Sequence, residues 1–291
     1  MDYSFPPEYD REVYLQLHKD LRDADFNQHD LYMHFDEHGK IEGRQSNQIQ
    51  SRIDFIDLIP KNASKLEIGP FFRPVIRGDN VKYFDVLDRD SLVERAKALH
   101  YETEGIPEIN FVDTNGDLSI ISEQFDIAVS SHCIEHQPDL ADHLQKVGKL
   151  LKPGGCYFII IPDKRYIFDH FISETTIADI VFKHDQQVKT HSLKSVIEHL
   201  ALTTHNDPPR HWAGDHGTLY DGSIEERVKH AMEVYKKANG AYIDVHASYF
   251  TPDSFSRIME LLHKLAMIEL KVIRNYHTRR NQNEFFVIMQ K

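Results

Sequence analysis

Between residues 66 and 161 short apolar runs alternate with helical faces, and that order constrains the fold more than any other feature of the chain. Residues 66–69, 81–87, 109–113, 125–130 and 156–161 read as strands. Residues 91–99 read as a helix, and Leu140, Leu144, Val147 and Leu151 share one helical face. The run 156–161 is almost wholly apolar, as expected of a strand buried on both faces inside a parallel sheet. After Pro162 the alternation lapses for residues 163–250. It resumes at Thr251-Pro252-Asp253, a helix start with Thr as N-cap and Pro in the first turn. Runs 268–272 and 285–289 close the chain, and their connection is too short for a helical crossover, so this pair is expected to be antiparallel.

Upstream, residues 1–45 read as a separate helical unit. Tyr14, Leu15, Leu21, Leu31, Tyr32, Met33 and Phe35 sit among charges there, and Gly39 acts as a stop. Residues 46–291 form the second expected unit, in which Ile49, Ile53, Ile56 and Ile59 recur at helical spacing up to Pro60.

The balance of 34 Lys and Arg against 46 Asp and Glu gives a net charge of −12, which argues against a nucleic-acid partner. Cys133 and Cys156 cannot make a disulfide framework and suit a reducing compartment. The start, Met1 to Pro7, shows no basic segment leading into an apolar run, and no stretch is apolar enough for a membrane span. A cytoplasmic protein is the expectation. Nineteen histidines are unusually many.

Three motifs carry chemistry. Lys65-Leu66-Glu67-Ile68-Gly69-Pro70 brings a strand to an acid and then to a glycine that lets backbone approach a ligand. The fourth strand runs into Ser130-Ser131-His132-Cys133-Ile134-Glu135-His136, and Leu151-Lys152-Pro153-Gly154-Gly155 follows the next helix. In this order they resemble the class I S-adenosylmethionine-dependent methyltransferases. The resemblance implies an α/β, Rossmann-like seven-stranded sheet, mostly parallel with the last strand antiparallel. To it are added the N-terminal helical unit and the long insertion after the fifth strand.

By the same resemblance Glu67, Gly69 and Pro70 face the methionine half of S-adenosylmethionine. Asp85 meets the ribose, with Asp88 as competitor, and Asp113 meets the adenine amino group, with Asp117 as alternative. Ser131 and His132 lie where cofactor and acceptor meet. S-adenosylhomocysteine is the implied product. His132, Glu135 and His136 have i, i+3, i+4 spacing, which one helical turn would place on one face. Some methyltransferases acting on RNA 2′-hydroxyls or catechols bind a metal through Glu-x-x-Glu-His here. His132 replaces the first Glu, so no metal ligand is assigned and a divalent ion stays the disfavoured alternative.

The insertion opens with Pro162-Asp163-Lys164-Arg165-Tyr166-Ile167-Phe168-Asp169-His170. With His211-x-Trp212-x-Gly214-Asp215-His216 and His246-x-x-x-Phe250 it resembles methyltransferases encoded beside bacterial surface-polysaccharide genes. Lys164, Arg165, Tyr166, Asp169, His211, Asp215 and His216 are therefore expected to bind the acceptor, though a solvated loop around Trp212 explains His205, His211 and His216 equally. The segment ending His38-x-x-x-Glu42-Gly43-Arg44 resembles a module found beside glycan-synthesis enzymes; a plain helical cap is the alternative.

The function expected is O-methylation of a sugar hydroxyl in a surface glycan or its activated precursor. His136 or His246 would serve as base, with Asp163 as alternative base or orienter. Another small-molecule hydroxyl, or a scaffold that docks a glycosyltransferase through residues 1–45, are the competing readings. A nicotinamide-dependent oxidoreductase is disfavoured, because the first strand is followed by one glycine rather than Gly-x-Gly-x-x-Gly.

Overall fold

The computed structural model describes residues 5–22, 24 and 26–291. Residues 1–4 of the start read for a leader, and 23 and 25 of the N-terminal unit, lie outside it. Strands β1 (Lys65–Ile68), β2 (Val81–Asp85), β3 (Phe111–Val112), β4 (Phe125–Ser131), β5 (Leu151–Pro162), β6 (Lys271–Tyr276) and β7 (Glu284–Gln290) make one sheet. Their spatial order is β3-β2-β1-β4-β5-β7-β6. β1 to β5 pair in parallel, and β7 runs antiparallel between β5 and β6. This is the mixed α/β sheet expected.

Both faces of the central strands are apolar, which is why they read as unbroken runs. In β5, Tyr157, Ile159 and Ile161 enter one core while Phe158 and Ile160 enter the other. β7 divides the same way, with Phe285, Val287 and Met289 opposite Phe286 and Ile288. Boundaries differ from expectation most at three places, beside smaller shifts such as β2 ending at Asp85 rather than Leu87. β3 shrinks to two residues, because Asp113 turns to accept from the amides of Asn115 and Asp117. β5 begins five residues early at Leu151, running through Pro153 and the glycines with a register shift against β4. Ile268 and Leu270 are buried core residues that precede β6 rather than strand positions.

Helices α1 (Arg11–Leu17), α2 (Lys19–Arg22), α3 (Gln28–His34) and α4 (Lys40–Glu42) surround their own cluster of Tyr9, Tyr14, Leu21, Leu31 and Phe35. That unit is tied to the rest at Glu8, whose carboxylate accepts from the Asn275 amide at 2.7 Å. A second tie is Gly43, at φ 66°, whose carbonyl accepts from the Arg280 amide at 3.2 Å. A Cβ on Gly43 would meet the Arg280 nitrogen at 2.5 Å and the Trp212 ring at 2.7 Å, so only glycine fits. α5 (Arg52–Ile56) lays Phe55 against Phe286, rings stacked at 4.9 Å. α6 (Arg89–Ala98) and α7 (Leu140–Leu150) follow β2 and β4, capped by the side chains of Asp88 and Asp139.

The segment without alternation is helical: α8 (Ile177–Asp185), α9 (Leu193–Ala201), α10 (Pro208–Trp212) and α11 (Ile224–Ala238). α9 and α11 close around Val196, Ala231 and Val245, a small core of their own. The two ends of the segment are joined, since Asp163 bridges to Phe250 and the Lys164 amide donates to the Phe250 carbonyl. α12 (Pro252–Lys264) then starts at the expected Thr251, in a capping box with Ser254. Among the described residues no helix is long and apolar enough to cross a membrane.

Candidate active site

Because the chain leaves β1 for β2 and β3 and then crosses back to β4, the carboxyl ends of β1 and β4 flank a switch point, where open α/β sheets bind ligands. A cleft opens there. Gly69 lines it at φ 71°, a conformation that side chains adopt at a cost, and a Cβ would stand 3.3 Å from the Cys133 sulfur. Asp85 lines it at the end of β2, buried, accepting from the Leu87 amide at 3.2 Å; burial raises its pKa. His132 and His136 form the wall beyond β4.

Other expected cofactor residues are placed elsewhere. Glu67 is 1% exposed and faces away from the cleft, its two oxygens taking the amides of Val75 and Ile76 at 2.8 and 3.1 Å. It shapes the loop after Gly69 instead of lining the ligand space. Asp113 spends its carboxylate on its own turn and, with Asp117, faces a neighbouring depression that shares Asn115 and Gly116 with the cleft. The Lys146 ammonium, 2.9 Å from Asp117, holds that carboxyl down at about 2. Asp88 is the cap of α6. Pro70 is buried and Ser131 pairs with Ile160 in the ladder; neither lines the cleft.

At the cleft wall the β4 end builds a histidine–carboxylate cluster. His132 sits at φ 49°, unusual for a residue with a Cβ, and its Nε2 lies 2.9 Å from Glu284 Oε2. Glu284 also grips Arg52; although burial opposes it, His132 and Arg52 bring its carboxyl down to about 2. Glu135 is 1% exposed, and neither carboxylate oxygen has a hydrogen-bond partner. Its Oε1 is 3.9 Å from His132 Nδ1 and 4.0 Å from His136 Nε2. The other ring nitrogen of His136 is 3.0 Å from Asp244 Oδ1. Burial works against charging His136, but Asp244 and Glu135 outweigh it and raise its pKa. His246 stands edge-on behind His136, ring centres 4.6 Å apart, with Nδ1 2.5 Å from Asp169 Oδ2. Burial drives that pair away from charge, His246 downward and Asp169 upward.

The remaining residues expected to bind the acceptor close on one another. Asp163 is fully buried, held by Arg165 through two side-chain bonds of 2.9 and 2.6 Å and by the Thr278 hydroxyl at 2.6 Å. That leaves it no part in base chemistry at the cleft. Lys164 donates to the His170 carbonyl, and Tyr166 stacks on Trp212 at 3.8 Å. His216 stacks on His170 at 3.7 Å, and His211, 2% exposed, bonds His216 and the His205 carbonyl. Asp215 pairs with Arg210. Around Trp212 the rings of Tyr166, His170, His211 and His216 pack on one another while Ala213, Gly214 and Asp215 stay exposed, and none of these side chains lines the cleft.

A family model described as a methyltransferase domain matches residues 44–262. The chain belongs to the methyltransferase-domain family. It is an S-adenosylmethionine-dependent methyltransferase. A glycine at positive φ beside a buried carboxylate, at the sheet's switch point, fits a nucleoside-bearing amino acid. Similar solved structures include a protein described as a Zn-dependent alcohol dehydrogenase from Rhodobacter sphaeroides, with 13% identity over 86% of this chain and 91% of that chain and a TM-score of 0.45. An S-adenosylmethionine-dependent methyltransferase from Clostridium acetobutylicum ATCC 824 has 10% identity over 91% and 99%, at 0.40. One from Methanosarcina mazei has 12% over 84% and 99%, at 0.36. No curated protein matches the chain.

Sequence reasoning missed Phe71, Arg95, Tyr242 and Asp244 in this methyltransferase's cleft. Arg95 reaches from α6 to pair with Asp244 and lies 5.2 Å from the Phe71 ring centre. Asp244 carried a signal, two residues before His246; Arg95 carried none, because only tertiary packing brings α6 to the insertion.

Proposed function

We propose that the enzyme methylates a hydroxyl of a sugar, in a surface glycan or its activated precursor. The observation that carries this reading is the histidine–carboxylate cluster at the cleft wall, where the acceptor's proton would be taken. When bound, S-adenosylmethionine supplies a methyl on a sulfonium. The chain's own residues must then hold the acceptor oxygen in line and remove its proton, and a hydroxyl needs a base for that at neutral pH. His132 and His136 face the cleft, and His246 stands behind them. The rim suits a sugar, since Phe71 and Tyr242 bring rings to it, and Asp244 and Arg95, paired with each other, keep further acceptor and donor positions for edge hydroxyls. The sequence resemblances of the insertion and of residues 1–45 point the same way.

Residues 1–45 are part of this proposal as a unit that recruits a glycan-synthesis partner, with 46–291 as the transferase and 163–250 as the acceptor side. Transfer of labelled methyl from S-adenosylmethionine to nucleotide-sugars and envelope glycans tests the reading. A base-stable methyl ether on a sugar is expected. Labelling confined to non-sugar hydroxyls would move the acceptor class.

A further inference from the structure

We propose that Glu135, His136 and His246 form a binding site for one divalent first-row transition ion at the back wall of the cleft. One ligand atom from each of these residues falls within 4.8 Å of the others. Donors bound at about 2.0–2.2 Å to one tetrahedral ion stand about 3.3–3.6 Å apart, so the three must draw in by up to about an ångström on binding. Two imidazoles and a carboxylate suit zinc, cobalt, iron or manganese better than magnesium.

Three observations set this cluster apart. The Glu135 carboxylate is buried with neither oxygen hydrogen-bonded, a costly state that a cation would relieve. Each histidine has a carboxylate at its far ring nitrogen: Asp244 at 3.0 Å from His136 Nδ1 and Asp169 at 2.5 Å from His246 Nδ1. For His246 that is the arrangement by which an outer carboxylate fixes the ring and tautomer of a ligating histidine, while Asp244 stands in ion-pair contact with His136 Nδ1 without a hydrogen bond. The His136 and His246 rings meet at 83°, so their lone pairs can converge.

The other histidine trio fails on these grounds. His170 and His216 lie face to face at 3.7 Å and 9°, which keeps their lone pairs parallel, and both nitrogens of His211 already have partners. In the trio of Asp169, His199 and His246, Asp169 bonds His246 directly and so serves as its outer carboxylate.

The cleft-lining rings of His132 and His136 approach the same Glu135 oxygen, at 3.9 and 4.0 Å, so an ion held there borders the cleft. This deepens the hydroxyl-methylation reading and rests on it for its role. The ion would bind the acceptor oxygen and lower its pKa, and the proton would pass to His132, the cluster's remaining cleft-facing base.

Titration of metal-stripped full-length protein with Zn²⁺, Co²⁺ and Mn²⁺ tests the site without any acceptor. One equivalent should bind, and Co²⁺ should show visible absorption from nitrogen and oxygen ligands. Asp169→Asn should weaken binding about 10- to 100-fold, as loss of an outer partner does. Glu135→Gln and His246→Asn should weaken it at least as much, while His211→Asn, in the rejected trio, should not. Binding of S-adenosylmethionine by each variant shows that it is folded. Failure of the wild type to bind any of the three ions, or stoichiometric binding that survives in a folded Glu135→Gln, His246→Asn double variant, overturns the site. Tight binding with no methylation of any sugar keeps the site and removes the sugar reading.

Discussion

The sheet edge and the helical insertion are both rich in polar residues, yet they treat them in opposite ways. At the carboxyl ends of β1, β2 and β4, Gly69, Asp85, His132 and His136 face open space. In the insertion, Asp163, Lys164, Arg165, Tyr166, His211 and His216 are used up on one another. A rigid sheet can keep such groups turned to the cleft even where a neighbour holds one side of them, as Glu284 holds His132 and the Leu87 amide holds Asp85, because its backbone bonds already hold it together. The pair α9 and α11 has a core no larger than that around Val196, and the segment uses its polar contacts for shape. Polar composition alone therefore does not mark a binding surface.

The sharpest way to break the comparison is at its open side. Gly69→Val should abolish binding of S-adenosylmethionine and S-adenosylhomocysteine while the protein stays folded. The branched side chain would stand against Cys133 and resist positive φ. Calorimetric titration measures this, and wild-type affinity would place the cofactor away from the turn. His136→Ala comes next. Methyl transfer should fall by about 10²- to 10⁴-fold with cofactor affinity little changed. Full activity in that variant would remove the cluster from the chemistry.

On the closed side, Arg165→Ala leaves the Asp163 carboxylate buried without its cation. Stability should fall by about 3–5 kcal/mol, read by urea unfolding. Cofactor affinity measured on the folded fraction should stay unchanged. A variant of wild-type stability that has lost acceptor binding would return this run to the acceptor site.

The layout of strands was legible because burial on both faces leaves an unbroken apolar signature, and Thr251-Pro252 announced α12 by its capping chemistry. Gly69 and Asp85 were legible because a strand that ends at a turn fixes where its last residues point. Asp163 to Asp169 was misread for a physical reason: sequence shows that charges and rings are adjacent, not that Arg165 and Trp212 will satisfy them. The partnership of Asp244 with His136 and Arg95 spans 108 and 149 positions, and no local pattern encodes it. The depth of Glu135 was hidden too, since its i, i+3, i+4 neighbours predict a shared face but not its burial.

Glu67 supplies the finest test, because it lies at the sheet edge yet is treated as the insertion treats its acids. Burial pushes its carboxyl up from 4.5 to about 7, opposed by the amides of Val75 and Ile76. Below pH 4.5 it is protonated in folded and unfolded chains alike and has no effect on the balance. Between about 4.5 and 7 the unfolded chain gives up this proton and the folded one keeps it, so stability falls as pH rises. Above 7 the whole penalty, about 3 kcal/mol, is present. Glu67→Gln has no such proton, so the stability of wild type minus variant should drop by about that amount across this window. Taking the difference cancels the nineteen histidines. Urea unfolding at steps from pH 4 to 8 measures it. Cofactor affinity should be unaltered in Glu67→Gln, since the carboxylate faces its own loop. Parallel stability curves together with a loss of affinity would show a charged Glu67 turned toward the ligand, and would place it back on the open side.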